Sequence, residues 1–403
     1  MRIASVTART IRWSITGRGA ARGQTERAAV LLEVRGDRGG VGLGEAAPLP
    51  GMSPDTLADA EHALAALARR APFEVADRDA ASAIAADLAG PRASTASPAA
   101  RFAIETALLD ALARERGISL AALLTGHADA TASSPGHASR GASVPLAAVV
   151  DDPDAARAAL AAGIRCLKIK LAADDDPDRV RAIAAVAPGA RLRIDANRSW
   201  SRVEVAARLA ALADLPIDYV EEPCLDAHQL LTGPLACRLA LDESLAALAP
   251  DELDAALHSP RLAAVVLKPT LLGGLSVALA LAARARSAGV SAVASHGLEG
   301  PVGTAACAEL ALALGHFFAG DPSDRASSSA AARPSDHFPM APAGLAAHPA
   351  LTGWQIDVPQ LAPDHLHAAA APGLGFTSLE LTDLLQACPT LDLGGPQGAR
   401  PWR

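Results

Sequence analysis

The chain has 403 residues, enough for one large domain and a smaller one, and carries a formal net charge of −8. That charge argues against a nucleic-acid-binding surface, which is usually basic, and the absence of a run of about 18 uncharged apolar residues argues against a membrane span. Residues 1–7 alternate like a strand and lack the apolar core of a signal peptide. The five cysteines form no C-x-x-C pair, as is typical of a cytoplasmic protein with reduced thiols.

Residues 1–125 have the pattern of an α+β domain. Residues 9–16 and 27–34 are predicted to form two antiparallel strands, and residues 17–24 between them, which contain three glycines, are predicted to form a mobile loop. The two helices that follow are predicted to begin with a serine cap and a proline at the first helical position, at Ser53-Pro54 and Ser97-Pro98.

Residues 126–142 are rich in alanine, serine, glycine and threonine without a hydrophobic period, and are predicted to be a linker. In residues 143–320, apolar strands alternate with alanine-rich helices, which predicts a parallel sheet buried on both faces. Eight candidate strands favour closure of that sheet into a barrel. They are residues 145–150, 166–171, 192–195, 219–222, 239–242, 264–268, 290–295 and 316–319.

The predicted fold class is therefore α/β: a (β/α)7β barrel of the TIM type with an N-terminal α+β capping domain. Residues 321–403 lose the alternation of strands and helices, and residues 321–335 are of low complexity. We expect this C-terminal segment to pack back on the capping domain and to complete it.

A charged residue stands at the end of five successive predicted strands: Lys170, Asp195, Glu221, Asp242 and Lys268. The steps between them are 25, 26, 21 and 26 residues, the length of one strand, one helix and two short loops. A parallel barrel places the carboxyl ends of all its strands on one rim, where such barrels carry out their chemistry. We therefore expect these five side chains to converge on one site.

Three of these residues, Asp195, Glu221 and Asp242, are carboxylates. A single Asp after a strand is more often a helix cap or a salt-bridge partner, but three carboxylates in succession on one rim repel one another unless a cation lies among them. Oxygen ligands without a nearby His or Cys favour Mg²⁺, or Mn²⁺, over zinc. The sequence therefore predicts a divalent-metal site.

Two lysines share one predicted strand, and residues i and i+2 of a strand point to the same face, so Lys168 and Lys170 are both expected to face the barrel interior. Neighbouring ammonium groups lower each other's pKa, which favours one of them as a base near neutral pH. Lys268 is expected on the opposite side of the barrel. A lysine base beside a divalent cation is suited to removing the proton next to a substrate carboxylate.

This succession of Lys-x-Lys, Asp, Glu, Asp and Lys resembles the enolase superfamily, in its muconate-lactonizing subgroup. Within that subgroup the chain is most similar to the o-succinylbenzoate synthase family. Four stretches carry the similarity: residues 48–53 (PLPGMS), 192–200 (LRIDANRSW), 221–224 (EEPC) and 266–270 (VLKPT). The resemblance implies Mg²⁺, a small carboxylate substrate and a lyase reaction of menaquinone synthesis, in which a succinyl-hydroxycyclohexadiene carboxylate is dehydrated to o-succinylbenzoate.

The resemblance also implies roles for individual residues. Lys170 would remove the α-proton and then protonate the departing hydroxyl, while Lys268 would stabilise the intermediate from the opposite face. Asp195, Glu221 and Asp242 would bind the metal. The residues expected around these groups or against the substrate are Lys168, Arg193, Asn197, Glu243, Ser295 and Met52.

Two segments, residues 17–24 and 48–53, are expected to close over the succinyl tail of the substrate. Met52 in the second segment stands where the family commonly has an aromatic residue. After the seventh predicted strand, this chain has Ser295-His296 where the family often has a Ser-Ser-x-Glu-Ser run. In the family, the succinyl carboxylate of the substrate often contacts backbone groups at this position.

His296 is interpreted as a bystander or a substrate contact. A related subgroup uses a histidine there as the base, but it also needs an Asp after the sixth strand, where this chain has Lys268. An N-acylamino acid racemase or a dipeptide epimerase would need the same two catalytic lysines and stays an alternative. A non-catalytic barrel that serves as a binding or structural protein is the third hypothesis, and it predicts that replacing Lys170 removes no activity.

Overall fold

The computed structural model of the chain describes residues 1–15, 25–90, 97–126, 143–319, 341–346, 357–388 and 390–391. The predicted loop at residues 17–24, the predicted linker beyond residue 126 and the low-complexity residues 321–335 lie outside these ranges. Within the described ranges, no helix is both long and apolar enough to cross a lipid bilayer.

The strands, numbered in chain order, are β1 (Arg2–Ser14), β2 (Glu26–Gly36), β3 (Val41–Ala46), β4 (Phe73–Glu74), β5 (Val144–Pro145), β6 (Ala147–Val149), β7 (Cys166–Lys170), β8 (Arg191–Asp195), β9 (Ile217–Glu221), β10 (Leu239–Leu241), β11 (Leu262–Leu267), β12 (Ser291–Ala294), β13 (His365–Leu366) and β14 (Thr390–Leu391). The α-helices are α1 (Leu57–Arg70), α2 (Arg78–Ala89), α3 (Pro98–Arg116), α4 (Leu120–Thr125), α5 (Pro153–Ala161), α6 (Asp178–Val186), α7 (Val205–Leu212), α8 (Pro250–Leu257), α9 (Pro269–Leu272), α10 (Leu275–Ser287), α11 (Pro301–Ala319) and α12 (Ser378–Ala387). Two short 3₁₀ helices span Ala227–Thr232 and Glu243–Ala246.

The first sheet is antiparallel and has the order β14–β1–β2–β3, with β4 also paired to β1. β1 and β2 run in register from Val6 opposite Val34 to Ser14 opposite Glu26, so the predicted antiparallel pair is confirmed. The long helix α3 packs closely on β3 because two glycines of that strand have no side chain in the way. A Cβ on Gly44 would stand 1.9 Å from the carbonyl oxygen of Ala103.

The two predicted helix starts have different outcomes. Ser97 caps α3 as predicted, since its side chain accepts a hydrogen bond from a backbone N–H of the first turn. Ser53 does not cap α1, because a better cap lies three residues later. There Thr56 accepts from the Asp59 N–H while the Asp59 carboxylate accepts from the Thr56 N–H. This reciprocal pair satisfies two backbone donors at once.

The second large sheet is parallel, and its seven strands follow chain order from β6 to β12. Helices or 3₁₀ helices connect successive strands, which is the alternation expected for a barrel. The predicted α/β fold class is confirmed by this sheet together with the antiparallel N-terminal sheet. All six residues of β11 are buried, which agrees with burial of this sheet on both faces.

The predicted eighth strand at residues 316–319 is wrong, because these residues form the end of α11. A short apolar run without alternation is equally compatible with a buried helix. Residues 341–346 take the eighth position instead. Ala343 forms a parallel bridge with Leu146 beside β6, and Gly344 forms one with Ser295 at the end of β12, so this segment joins the two edges of the sheet.

Residues near the end of the chain lie against its N-terminal part. β14 pairs with β1, and β13 pairs with β5 just before the barrel. On α3, the buried Asp110 carboxylate accepts a hydrogen bond of 2.8 Å from the Leu374 N–H. Arg114 on the same helix donates to the Phe376 carbonyl at 3.0 Å.

Candidate active site

The five charged strand ends meet, as the register of the strands requires. Lys170 lies opposite Asp195 on the neighbouring strand, and Asp195 lies opposite Glu221 on the next one. Asp242 and Lys268 directly follow β10 and β11. All five therefore stand at the carboxyl end of the parallel sheet, which is the catalytic face of a barrel.

A cavity of about 220 Å³ opens at this rim. Its wall consists of Leu49, Gly51, Met52, Ala147, Val149, Lys168, Lys170, Asp195, Asn197, Arg198, Glu243, Lys268, Ser295, His296, Gly297, Leu298, Gly344 and Ala346. Most of the predicted site residues are among them. Glu221, Asp242 and Arg193 are not part of the wall but are buried next to residues that are.

Lysine is rare in this protein and is confined to the cavity. Of 36 lysines and arginines in the chain, only Lys168, Lys170 and Lys268 are lysines, and all three line the wall. An arginine stays protonated in proteins, whereas a lysine can give up its proton when it is buried. The side-chain amines that can act as bases are thus concentrated at one place.

Two of the three lysines are held as cations by carboxylates. Lys168 Nζ lies 2.9 Å from Asp195 Oδ2 and 2.8 Å from Glu221 Oε1. Burial opposes its charge, but these carboxylates outweigh burial and raise the pKa of Lys168 well above its ordinary value. Lys268 Nζ bonds to Asp242, and that carboxylate together with Glu243 likewise overcomes burial and raises the pKa of Lys268.

Lys170 is different. Among the described residues, no hydrogen-bond or ion-pair partner lies within reach of its ammonium group. Burial is the main cause that lowers the pKa of Lys170, and Lys168 and Lys268 add to the effect against the opposing pull of Asp195. The predicted mutual lowering of two neighbouring lysines therefore holds for Lys170 but not for Lys168.

The carboxylates offer oxygen ligands to a hard cation. In the described part of the chain, no three acidic, His or Cys side chains are already spaced as a metal cluster. Lys168 Nζ lies between Asp195 and Glu221, and Lys268 Nζ bonds to Asp242. Among the described residues, Asp242 Oδ1 is nevertheless buried without a hydrogen-bond donor. Burial and the adjacent Glu243 raise the pKa of Asp242, and Glu221 raises it further, whereas Lys268 lowers it. A buried group of this kind is suited to a divalent cation, so the donor set fits Mg²⁺.

Sequence reasoning missed Glu222, which is fully buried beside the site. Its Oε1 accepts the N–H groups of Asp242 at 2.8 Å and Ser244 at 2.9 Å. Its Oε2 accepts the Ser244 hydroxyl at 2.7 Å and Arg198 Nε at 3.1 Å. Glu222 therefore fixes the backbone that carries Asp242. The two consecutive acidic residues Glu221 and Glu222 were the sequence signal that could have identified it.

Two consecutive residues after β8, Asn197 and Arg198, have left-handed backbone conformations, with φ of 44° and 59°. Such conformations are uncommon for residues other than glycine and cluster at functional sites. The turn lets the Asn197 N–H bond to Asp195 Oδ1 at 3.0 Å and places both side chains in the cavity wall. Asn197 thus lies beside a predicted metal ligand, as expected from the sequence.

His296 lies in the wall with a defined ring orientation. Its Nδ1 accepts the Leu298 N–H at 3.1 Å, so the proton of the neutral ring is on Nε2. Burial and the three nearby lysines lower the pKa of His296 to about 3. A ring this weakly basic is unsuited to act as a general base. Ser295 and Met52 also line the cavity.

Arg193 lies one layer deeper than the cavity. It is the register partner of Lys168 on the next strand. Its guanidinium donates to the Pro342 carbonyl at 2.7 Å and stacks over the Tyr219 ring at 5.1 Å. Because residue 342 belongs to the closing segment 341–346, Arg193 ties that segment to the barrel interior.

Barrel, capping sheet and rim site together define an enolase-type fold. The N-terminal family model, described as mandelate racemase / muconate lactonizing enzyme, matches residues 4–125, and the enolase C-terminal domain-like model matches residues 151–380. The chain belongs to the enolase superfamily, and its relatives in that superfamily are lyases and isomerases.

Curated relatives and solved structures agree with this assignment. The o-succinylbenzoate synthase of Desulfotalea psychrophila is 30% identical over 306 residues, which cover 66% of this chain and 78% of that protein. The enzyme of the same name from Mycobacterium tuberculosis is 38% identical over 160 residues, 38% of this chain. That alignment spans only 47% of the mycobacterial protein, about half of its length.

A dipeptide epimerase from Methylococcus capsulatus, solved with Mg and the dipeptide L-Arg-D-Lys, is 26% identical, with a TM-score of 0.68. The match covers 93% of this chain and 99% of that one. The L-Ala-D/L-Glu epimerase from Bacillus subtilis is 22% identical, with a TM-score of 0.72 and coverage of 93% and 98%. At that identity the likeness concerns the fold alone.

Proposed function

We propose that this protein is an o-succinylbenzoate synthase. It would remove water from 2-succinyl-6-hydroxy-2,4-cyclohexadiene-1-carboxylate in menaquinone synthesis, in the cytoplasm. The observation that carries the proposal is the contrast between Lys170, which is unpaired among the described residues, and the carboxylate-bound Lys168 and Lys268. The 30% identity to the Desulfotalea psychrophila relative supports this reaction in particular.

In this proposal Lys170 is the base and then the acid. The neutral amine takes the proton from C1, next to the substrate carboxylate, and becomes an ammonium group. As the C6–O bond breaks, that ammonium returns its proton to the departing hydroxide, so that water leaves and the ring becomes aromatic. Lys170 both removes and returns the proton, so the dehydration needs no other acid or base and no oxidant.

Lys268 faces the same substrate from the other side of the cavity as a fixed cation, which stabilises negative charge that develops on the carboxylate. Asp195, Glu221 and Asp242 would hold Mg²⁺, with Mn²⁺ as a substitute. When bound, the metal supplies positive charge that lowers the energy of the enediolate. Glu222 and Asn197 keep two of these carboxylates in position.

A second candidate activity is the racemisation or epimerisation of an N-acylamino acid or a dipeptide. Racemisation needs an acid–base group on each face of the α-carbon. Lys170 ends β7 and Lys268 follows β11, four strands further along the parallel sheet, and both line the cavity. The Methylococcus capsulatus dipeptide epimerase, 26% identical, supports this alternative. The two activities share the first proton transfer and differ only in the fate of the resulting intermediate.

One assay separates the hypotheses. The purified protein with Mg²⁺ is incubated with the cyclohexadiene carboxylate, and the aromatic product is measured by mass spectrometry. In parallel, N-succinyl amino acids and dipeptides are incubated in D₂O, and deuterium at the α-carbon and inversion of configuration are measured. Dehydration supports the synthase, whereas exchange with inversion and without dehydration supports the racemase or epimerase.

The Lys170→Met variant serves as the matched negative control, because it removes the amine but keeps the length of the side chain. Activity that persists in this variant would reject Lys170 as the base. A protein without either activity, and with no difference between wild type and Lys170→Met, would favour the non-catalytic barrel instead.

A further inference from the structure

Arg27 is a buried cation outside the cavity whose bonds converge on two segments of the cavity wall. It lies on β2 and is 2% exposed. Its Nη1 donates to the Pro48 carbonyl at 2.7 Å and its Nη2 to the Ala47 carbonyl at 2.9 Å. Its Nε donates to the Leu298 carbonyl at 3.3 Å and Nη2 also to the Gly297 carbonyl at 3.4 Å.

These four carbonyls belong to two segments that are far apart in sequence and that both contribute residues to the cavity wall. The first, residues 47–53, contributes Leu49, Gly51 and Met52 to the wall. The second, residues 295–298, contributes all four of its residues. One guanidinium therefore connects a wall segment of the N-terminal part with a wall segment of the barrel.

Two buried acidic residues, Glu45 and Glu299, lie near Arg27 and fix the same region. Glu45 and Glu299 are both fully buried and both act electrostatically on Arg27. Glu299 accepts the Gly297 N–H at 2.5 Å, and Glu45 accepts the Gly303 N–H at 2.9 Å at the start of α11. Burying a cation is costly, and the loss is offset here by hydrogen bonds to four carbonyls.

We propose that Arg27 is a positioning residue that sets the distance between these two wall segments and thereby the fit of the substrate. The proposal rests on the proposed function only in taking this cavity as the substrate site. Arg27 does not line the cavity and donates no proton to substrate. Its planar fork of donors serves several carbonyls at once, which the single ammonium of a lysine cannot reproduce.

Hydrogen–deuterium exchange of Arg27→Lys and Arg27→Met tests the proposal without any substrate. We expect exchange to become faster in residues 47–53 and 295–298 together, by about tenfold or more, since both segments lose the same restraint. Arg12→Met is the matched control, because Arg12 is half exposed on the same sheet and, among the described residues, pairs with Glu26. Faster exchange in only one segment, or in neither, would overturn the proposal.

Kinetics with whichever substrate turns over provide the second readout. A positioning role predicts that KM rises by about tenfold while kcat changes much less, with Arg27→Lys between wild type and Arg27→Met. A fall in kcat at unchanged KM would contradict it. Should both variants fail to fold, exchange of the wild type in increasing denaturant decides. The two segments are expected to open as one unit, and separate opening would refute the proposal.

A failure of the proposed reaction is distinguishable from a failure of this inference. If the protein dehydrates no cyclohexadiene carboxylate, the exchange experiment still reports whether Arg27 couples the two segments. If exchange is unaffected by the substitutions while dehydration proceeds, the synthase assignment stands and the positioning role is lost.

Discussion

Lys170 and Asp195 are register partners on neighbouring strands, but the ammonium that bonds to Asp195 is that of Lys168, whose Nζ lies 2.9 Å from Asp195 Oδ2. Two lysines that share one face of a strand thus have opposite surroundings. One is held as a cation by two carboxylates, while burial and the other lysines favour the neutral form of Lys170. Lys168 is thereby suited to be a structural cation, and Lys170 is suited to be a base.

Replacing Lys170 tests its role as a base. Lys170→Met and Lys170→Arg should both lower kcat by about 10²- to 10⁴-fold, because neither side chain can accept a proton near neutral pH. Circular dichroism should show a folded protein in both cases. Arg181→Met, at an exposed pair with Asp214 on the outside of the barrel, should leave kcat unchanged. Lys170→Arg activity near that of the wild type would show that only the positive charge matters.

The three lysines can be titrated individually, since the chain contains no others. In protein labelled with ¹⁵N-lysine and free of metal, we expect the Lys170 amine to have a pKa below 10.5 and below those of Lys168 and Lys268. The neutral base becomes populated as pH rises through the pKa of Lys170, so activity should also rise with pH. A Lys170 pKa equal to or above those of the other two lysines would contradict its assignment as the base. The variants Lys168→Met and Lys268→Met each remove one of the three labelled amine signals and so assign the signals to individual lysines.

Asp242→Asn should weaken Mg²⁺ binding by at least about tenfold, because it removes one of the charges that would hold the cation. Isothermal titration calorimetry measures the affinity directly. Asp254→Asn is the control, since Asp254 is an exposed carboxylate on α8 that pairs with Arg284. Equal affinity of wild type and Asp242→Asn would exclude Asp242 from the ligand set.

The Glu222→Gln substitution tests whether this residue positions the Asp242 backbone. The amide would present N–H groups to the Ser244 hydroxyl or to Arg198, which are donors in the structure. We expect a loss of stability of about 2 kcal/mol for the unsatisfied buried group and a loss of Mg²⁺ affinity of about tenfold. Glu204→Gln, at an exposed turn, should alter neither. A stability loss without a change in affinity would restrict Glu222 to a structural role.

The strand-end residues could be predicted from the sequence because the carboxyl ends of parallel strands lie at one rim, independently of the contacts that their side chains make. The features that were missed depend on contacts between distant parts of the chain. Arg27 donates a hydrogen bond to Leu298, which is 271 positions away in the sequence. The residues next to Arg27 in the sequence give no sign that it is more than a strand residue. Residues 316–319 were assigned to a strand because a run of apolar residues has no period that separates strand from helix.

The last prediction concerns Glu45, which is fully buried and whose pKa is raised to about 7, mainly by burial. Its surroundings include Glu299, which raises the pKa further, and Arg27 and two backbone N–H groups, which lower it. The Cys307 thiol lies nearby, and burial raises its pKa. The folded protein therefore keeps a proton on Glu45 that the unfolded chain releases between pH 4.5 and 7.

The sign of the pH dependence comes from this difference in proton binding. The contribution of protonated Glu45 is fully present below pH 4.5 and is lost as pH rises to about 7, a change of about 3 kcal/mol. Relative to Glu45→Gln, which cannot ionise, the wild type should therefore lose stability over this window and then stay level. Urea midpoints measured from pH 4.5 to 8 give the difference curve. A flat difference curve between the wild type and Glu45→Gln would show that Glu45 is ionised throughout.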